Sequence, residues 1–179
     1  MKILMVCTGN ICRSPMAEVM LVDALSRCGV DDVEVVSAGT WAGAGQPATR
    51  EAQQVMRQRG IDLTAHRSQP LTAELLDEAD LILAMTSVHA REIAEVSPGA
   101  VGRTVLMKEL VEMEIEPSDA GAARSARLAS ILGGGRPEPR RALDLDDPMG
   151  LPVGAYERTA EHIEVGVGRL VELLCGEVG

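Results

Sequence analysis

The stretch Lys2-Ile3-Leu4-Met5-Val6-Cys7-Thr8-Gly9-Asn10-Ile11-Cys12-Arg13-Ser14-Pro15-Met16 changes character twice. The apolar run from Ile3 to Cys7 has the length of a strand, and Thr8-Gly9-Asn10 ends it. Ser14-Pro15 then reads as a cap and a first helical position, after which Met16, Val19, Met20 and Leu25 recur on one face. A strand feeds a turn and then a helix. Further apolar runs at residues 33–36, 81–84 and 105–107 alternate with segments of helical period. One such segment covers residues 48–59, ended by Gly60; the last covers residues 155–174, with Ile163, Val167, Leu170 and Leu174 on one stripe. Strand, crossover helix and strand imply an α/β fold with a parallel sheet.

The chain has 179 residues, 46% hydrophobic and 25% charged, which suits a single domain over 1–179 with a substantial core. It has no Phe, one Trp (Trp41) and one Tyr (Tyr156). The expected core is therefore Leu, Val, Ile, Ala and Met, and the aromatic platforms that stack nucleobases are missing. Lys and Arg number 17 against 27 Asp and Glu, a formal charge of -10 that repels nucleic acid and anionic membranes. An anionic ligand needs a strong local site. The first apolar run is too short for a signal-peptide core or a membrane span. With four irregularly spaced cysteines, Cys7, Cys12, Cys28 and Cys175, this points to a reduced, cytoplasmic protein. Cys28 and Cys175, each near a helix end, read as structural. From about residue 113 to 142 the composition shifts, and a short surface helix near 118–132 followed by a Gly/Pro-rich linker is expected as an insertion.

The loop after the first strand carries the chemistry. Between a strand and a helix, the N–H groups of Thr8, Gly9, Asn10, Ile11, Cys12 and Arg13 can converge on one tetrahedral anion, a phosphate cradle. Gly9 and Asn10 tolerate the left-handed backbone that such a nest needs, and the planar fork of Arg13 suits two phosphate oxygens. Cys7 lies at the floor, where a helix N-terminus, inward amides and Arg13 favour its thiolate, a nucleophile. Alone, Cys7 is a small hydrophobe ending a buried strand; its company changes that reading. A nucleotide-binding P-loop is excluded, because the loop has no Lys. No metal site is expected: Cys7 and Cys12 lack a second close pair, and His66, His89 and His162 are scattered.

With Cys-x5-Arg-Ser near the start, in Val6-Cys7-Thr8-Gly9-Asn10-Ile11-Cys12-Arg13-Ser14-Pro15-Met16-Ala17-Glu18, the sequence resembles the low-molecular-weight protein tyrosine phosphatases. The resemblance continues through Ser37-Ala38-Gly39-Thr40, residues 60–68, residues 80–85 and Asp147-Pro148, and covers nearly all of the chain except about 113–142. It implies a flavodoxin-like three-layer fold, a central four-stranded parallel sheet with helices on both faces, and an active site at the carboxyl end of the first strand. It also implies that Cys7 attacks phosphorus to form a phosphocysteine while Arg13 and the loop amides stabilise the transition state. Ser14 would hydrogen-bond the sulfur, and Asp147 would act as general acid and later as base. Asn10, Ser37 and His66 would form a supporting hydrogen-bond set. Cys12 would be able to form a reversible disulfide with oxidised Cys7.

Phosphorylated proteins are the expected substrates, inorganic phosphate and other oxyanions the expected inhibitors, and no cofactor is required. The expected rim comprises Ile11, Trp41 and Met149. Met149-Gly150 stands where this family carries an aromatic after Asp-Pro, so one flat wall is missing. A bacterial branch acting on protein phosphoarginine has Thr at the position of Ile11; the branched apolar Ile11 favours an aryl phosphate, and arginine phosphatase activity is the alternative. An arsenate reductase would need further cysteines near residues 80–90, where none occurs. A non-catalytic phosphoprotein-binding module would have no use for Cys7, Arg13 and Asp147 together.

Overall fold

The computed structural model describes residues 1–112, 123–133 and 141–175. Four strands, β1 (Lys2–Cys7), β2 (Glu34–Gly39), β3 (Leu81–Ala84) and β4 (Thr104–Leu106), form one parallel sheet in the order β2-β1-β3-β4. β1 thus lies between β2, which follows it, and β3, which enters on its other edge. This reversal opens a crevice at the carboxyl ends of the strands, the usual ligand position in open α/β sheets.

Strand periodicity explains the layers. Ile3, Met5 and Cys7 of β1 and Leu81 and Leu83 of β3 join one core; Leu4, Val6, Ile82 and Ala84 join the other. The first core is covered by α1 (Arg13–Arg27), α2 (Arg50–Gln58), α5 (Glu109–Glu112), α6 (Arg124–Gly133) and α7 (Val153–Cys175). On the opposite face, α3 (Ala73–Glu78), α4 (Ser87–Val96) and a 3-10 turn over Pro98–Arg103 bury Leu76, Ile93 and Ala100. The flavodoxin-like architecture is thus observed. Among the described residues no helix is long and apolar enough to cross a membrane.

Three expectations need correction. The core is not purely aliphatic, since Tyr156 is fully buried in it. The helix near 118–132 starts at Arg124, and it is no mere surface helix: Leu128 and Ile131 enter the first core beside α7. Residues 118–122 and the Gly/Pro stretch 134–140 lie outside the described residues. Nor does Ser14 cap α1. The helix begins one residue earlier, at Arg13, with Cys12 in the cap position and no side-chain cap. The Ser14 hydroxyl turns to the Cys7 sulfur, and Pro15 still falls in the first turn, where helical N–H groups lack partners. Cys28 and Cys175 meet at the ends of α1 and α7, where burial and a hydrogen bond to Cys28 push the Cys175 thiol up.

Candidate active site

Cys7 ends β1 and is buried. Asn10 has φ 52, the only positive φ at a non-glycine residue among those described. This left-handed turn brings the Asn10 N–H back to the Cys7 sulfur at 3.3 Å, while Ser14 Oγ approaches the same sulfur at 3.0 Å. Gly9 does not take the left-handed conformation expected of it; a Cβ there would meet Ile11 Cγ1 at an ordinary 3.5 Å. The glycine on which the loop depends is Gly39, at the end of β2. A Cβ there would lie 2.5 Å from the Thr8 carbonyl oxygen and 2.9 Å from Asn10 N. The bare backbone of Gly39 lets the loop pass.

The expected trio of Asn10, Ser37 and His66 is brought together. Asn10 Nδ2 donates to Ser37 Oγ at 2.7 Å and to Ser14 Oγ at 2.9 Å, and its Oδ1 accepts from the Gln69 N–H at 2.9 Å. His66 Nε2 lies 2.7 Å from the Asn10 carbonyl oxygen. Ser37 Oγ in turn donates to Glu18 Oε2 at 2.5 Å, and burial holds the Glu18 carboxyl above its ordinary range. Each polar atom around Asn10 thus has a partner, which fixes a left-handed residue inside the protein.

Arg13, from the first turn of α1, reaches across the loop. Its Nη2 donates to Asp147 Oδ2 at 2.8 Å and, more weakly, to Thr8 Oγ1 at 3.5 Å; its Nη1 donates to the Leu145 carbonyl oxygen at 3.3 Å. Its Nε is buried and has no hydrogen-bond partner among the described residues. The acidic loop that supplies Asp147 is pinned from below. Leu145 N donates to the Met85 carbonyl, and the Asp144 carboxylate accepts from Ser87 N at 2.6 Å and Ser87 Oγ at 3.2 Å. Asp144 anchors the loop to the start of α4, and Asp147 projects from it with about half its side chain exposed.

Cys12 is buried, with its sulfur 3.6 Å from Tyr156 Oη and 3.7 Å from Thr49 Oγ1; burial pushes its thiol up. Of the expected rim residues, Trp41 is 79% exposed, Met149 is 47% exposed and Ile11 is half-buried. The Trp41 backbone N–H donates to the Thr8 carbonyl at 2.9 Å, which ties the main chain of Trp41 to the cradle, while its indole N–H donates to Glu92 Oε1.

A family model described as low molecular weight phosphotyrosine protein phosphatase matches residues 2–120. The chain belongs to that family. The chain is 45% identical over 114 residues to a probable low molecular weight protein-tyrosine-phosphatase, EpsP, of Ralstonia solanacearum, covering 64% of this chain and 75% of that one. It is 35% identical over 173 residues to the protein-arginine-phosphatase of Geobacillus stearothermophilus, covering 97% and 95%. A solved structure described as the YwlE arginine phosphatase, mutated to carry a phosphorylated active-site serine, superposes with TM-score 0.78 at 31% identity, covering 99% of this chain and 98% of that one.

In this low-molecular-weight phosphatase several residues serve the loop without any signal in the Cys-x5-Arg motif. His89 contacts Thr8, Tyr156 contacts Cys12, and Gln69 and Glu18 close the network around Asn10 and Ser37. One signal was available for His89. Thr86-Ser87-Val88-His89 directly follows the third apolar run, and Thr86 caps α4 by accepting from the His89 N–H. A helix start at the carboxyl end of a parallel strand lies beside the crevice.

Proposed function

We propose that this phosphatase removes the phosphoryl group from phosphotyrosine in proteins by transferring it to Cys7 and then hydrolysing the phosphocysteine. The observation that carries the reading is the Cys7 sulfur, which receives the Asn10 N–H and faces the Ser14 hydroxyl at the floor of a loop whose mouth holds Arg13 and Asp147. The sulfur attacks phosphorus in line and the aryl oxygen leaves. The amides of residues 8–13 and the Arg13 fork, including its unpartnered Nε, receive the charge spread over the equatorial oxygens. Asp147 protonates the leaving oxygen, then takes a proton from the water that breaks the S–P bond, and Ser14 donates to the departing thiolate. The scheme uses no metal or organic cofactor. Phosphate, as the product, competes for the same donors.

Trp41 supplies a flat wall and Ile11 an apolar one, which supports an aryl group in the pocket. A second reading, protein phosphoarginine, is supported by the near full-length alignment with the Geobacillus protein. Against it, Ile11 provides no hydroxyl to orient a guanidinium. The segment near 113–142 is read as an elaboration of the same domain, because Leu128 and Ile131 pack into its core. Free thiols at all four cysteines suit a reducing cytoplasm.

Two measurements test the reading. Turnover quenched by alkaline denaturation and followed by peptide mapping should place the phosphoryl group on Cys7 and nowhere on the Cys7→Ala chain incubated with p-nitrophenyl phosphate. Side-by-side kcat/KM on phosphotyrosine and phosphoarginine peptides should favour phosphotyrosine in the wild type, with Ile11→Thr shifting the ratio toward phosphoarginine. A wild type that prefers phosphoarginine turns the assignment to the second reading.

A further inference from the structure

We propose that His89 is a positioning residue for the oxyanion cradle, its imidazole orienting the Thr8 hydroxyl so that Thr8 Oγ1 accepts from Arg13. The inference rests on the phosphatase reading and adds a residue from the opposite face of the sheet to that site. His89 is 2% exposed on α4, far from Thr8 in sequence, yet its Nε2 lies 2.9 Å from Thr8 Oγ1 and its Nδ1 lies 2.9 Å from Thr86 Oγ1. Thr8 Oγ1 is the same atom that receives Arg13 Nη2. A buried imidazole bonded through both nitrogens to two hydroxyls has a fixed ring plane, and it passes that constraint to the first residue of the cradle.

The proton inventory selects one arrangement. A neutral imidazole offers one N–H and one lone pair. Because Thr8 Oγ1 accepts from Arg13, its own hydrogen is directed at the Nε2 lone pair. Nδ1 then carries the proton and donates to Thr86 Oγ1, which also accepts the His89 backbone N–H. Burial and the facing Arg13 charge push His89 down to about 4, against the opposing influence of Glu92, Asp147 and Asp144, so the ring is neutral when the enzyme works. A protonated ring would aim an N–H at Thr8 Oγ1, which would then accept from both His89 and Arg13 and turn its own hydrogen away from the imidazole.

The same helix reaches the rim. Glu92, one turn beyond His89, accepts from the Trp41 indole N–H at 2.9 Å. α4 therefore holds both the edge of the cradle and the aromatic wall. Fixing Thr8 fixes one edge of the guanidinium plane, and a fork aimed in advance at phosphate oxygens binds and stabilises them better than one that must be ordered.

The test compares His89→Gln, whose amide reaches the Nε2 position and can still meet Thr8, with His89→Asn, which reaches only the Nδ1 position beside Thr86. The readouts are calorimetric binding of inorganic phosphate and kinetics on p-nitrophenyl phosphate, with the melting temperature of each variant recorded. His89→Asn should weaken phosphate binding and raise KM by about tenfold, the loss expected for one hydrogen bond to a charged site, while His89→Gln stays within about threefold of wild type. Thr8→Val should match His89→Asn, and the double variant should be no worse than either single one. Equal phosphate affinity in His89→Asn and wild type, equal losses in the Gln and Asn variants, or additive losses in the double variant would each overturn the proposal. A wild-type protein that neither binds phosphate nor hydrolyses p-nitrophenyl phosphate overturns the phosphatase reading itself, and the role of His89 with it.

Discussion

Arg13 Nη2 donates to Asp147 Oδ2 at 2.8 Å, so the cation proposed to bind phosphate and the carboxyl proposed to protonate the leaving group hold each other across the loop. Arg13 is almost fully buried and Asp147 is half exposed, so the carboxyl is the partner free to move. A phosphate dianion entering the loop competes with a carboxylate of its own sign for the same nitrogen.

Asp147→Asn keeps the shape and removes that competing charge. Inorganic phosphate should then bind several-fold more tightly, a modest effect because the carboxyl faces solvent. Turnover should move the other way. Hydrolysis of phenyl phosphate, whose leaving group needs a proton, should fall by about a hundredfold or more, and that of p-nitrophenyl phosphate less. Competitive inhibition by phosphate checks the first effect, and kcat on the two esters checks the second. Weaker phosphate binding would contradict the competition, and equal losses on both esters would contradict the acid role.

Gly39→Ala should damage the site from outside it. The added methyl would sit 2.5 Å from the Thr8 carbonyl oxygen and 2.9 Å from Asn10 N, both backbone atoms with no rotamer to give. Overpacking of this kind costs about 1–3 kcal/mol, and here the relief must come from shifting the loop proposed to bind phosphate. Thermal unfolding should show the loss of stability, and kcat/KM should fall by about tenfold or more, since small displacements of a reacting constellation are expensive. Wild-type kinetics in a stable Gly39→Ala protein would mean that the loop is not held where the structure places it.

The cradle was legible because it is local: strand, turn and helix start lie in one short run, and the unbroken apolar runs of β1 and β3 announce a sheet covered on both faces. Asp147 was legible only through family resemblance, since nothing about Asp144, Asp146 and Asp147 as residues separates an anchor from an acid. The structure does separate two of them: Asp144 is bonded to the start of α4 and Asp147 to Arg13. What stayed hidden was contact between distant segments. Thr8 with His89 and Cys12 with Tyr156 are made by packing, and no periodicity carries them. The inward face of α6 was hidden for a related reason, since its Ala, Arg and Ser-rich sequence leaves Leu128 and Ile131 to seat it.

His89 also predicts how acid destabilises the fold. Its ordinary value is 6.5, and in the folded protein burial and then Arg13 push it down to about 4. Between these values the unfolded chain binds a proton here that the native protein refuses, so the contribution to stability is intact above pH 6.5 and is lost as pH falls toward 4. By pH 5 the loss amounts to about 2 kcal/mol. His89→Gln cannot titrate, so its stability should fall less than that of wild type between pH 7 and pH 5, with the carboxylates common to both cancelling. Urea unfolding of the two proteins at both pH values gives the difference; equal losses would mean that His89 is protonated in the native state.

The family resemblance implies that Cys12 forms a protective disulfide with oxidised Cys7, and the chemistry of that step can be tested. Peroxide converts the Cys7 thiolate to a sulfenic acid with release of hydroxide, and Cys12, giving up its proton, attacks that sulfur to form a disulfide and expel water. Burial pushes the Cys12 thiol up, so disulfide formation should speed up as pH rises, whereas the hydrogen bond from Tyr156 favours the thiolate. Tyr156→Phe should therefore slow closure. In wild type, dithiothreitol should restore activity after a peroxide pulse; in Cys12→Ser, Cys7 should pass on to sulfinic acid and stay inactive. Activity recovery and intact mass, with +32 Da for sulfinic acid, separate the two fates. Full recovery of Cys12→Ser would remove Cys12 from any protective role and leave it as a packed side chain between Thr49 and Tyr156.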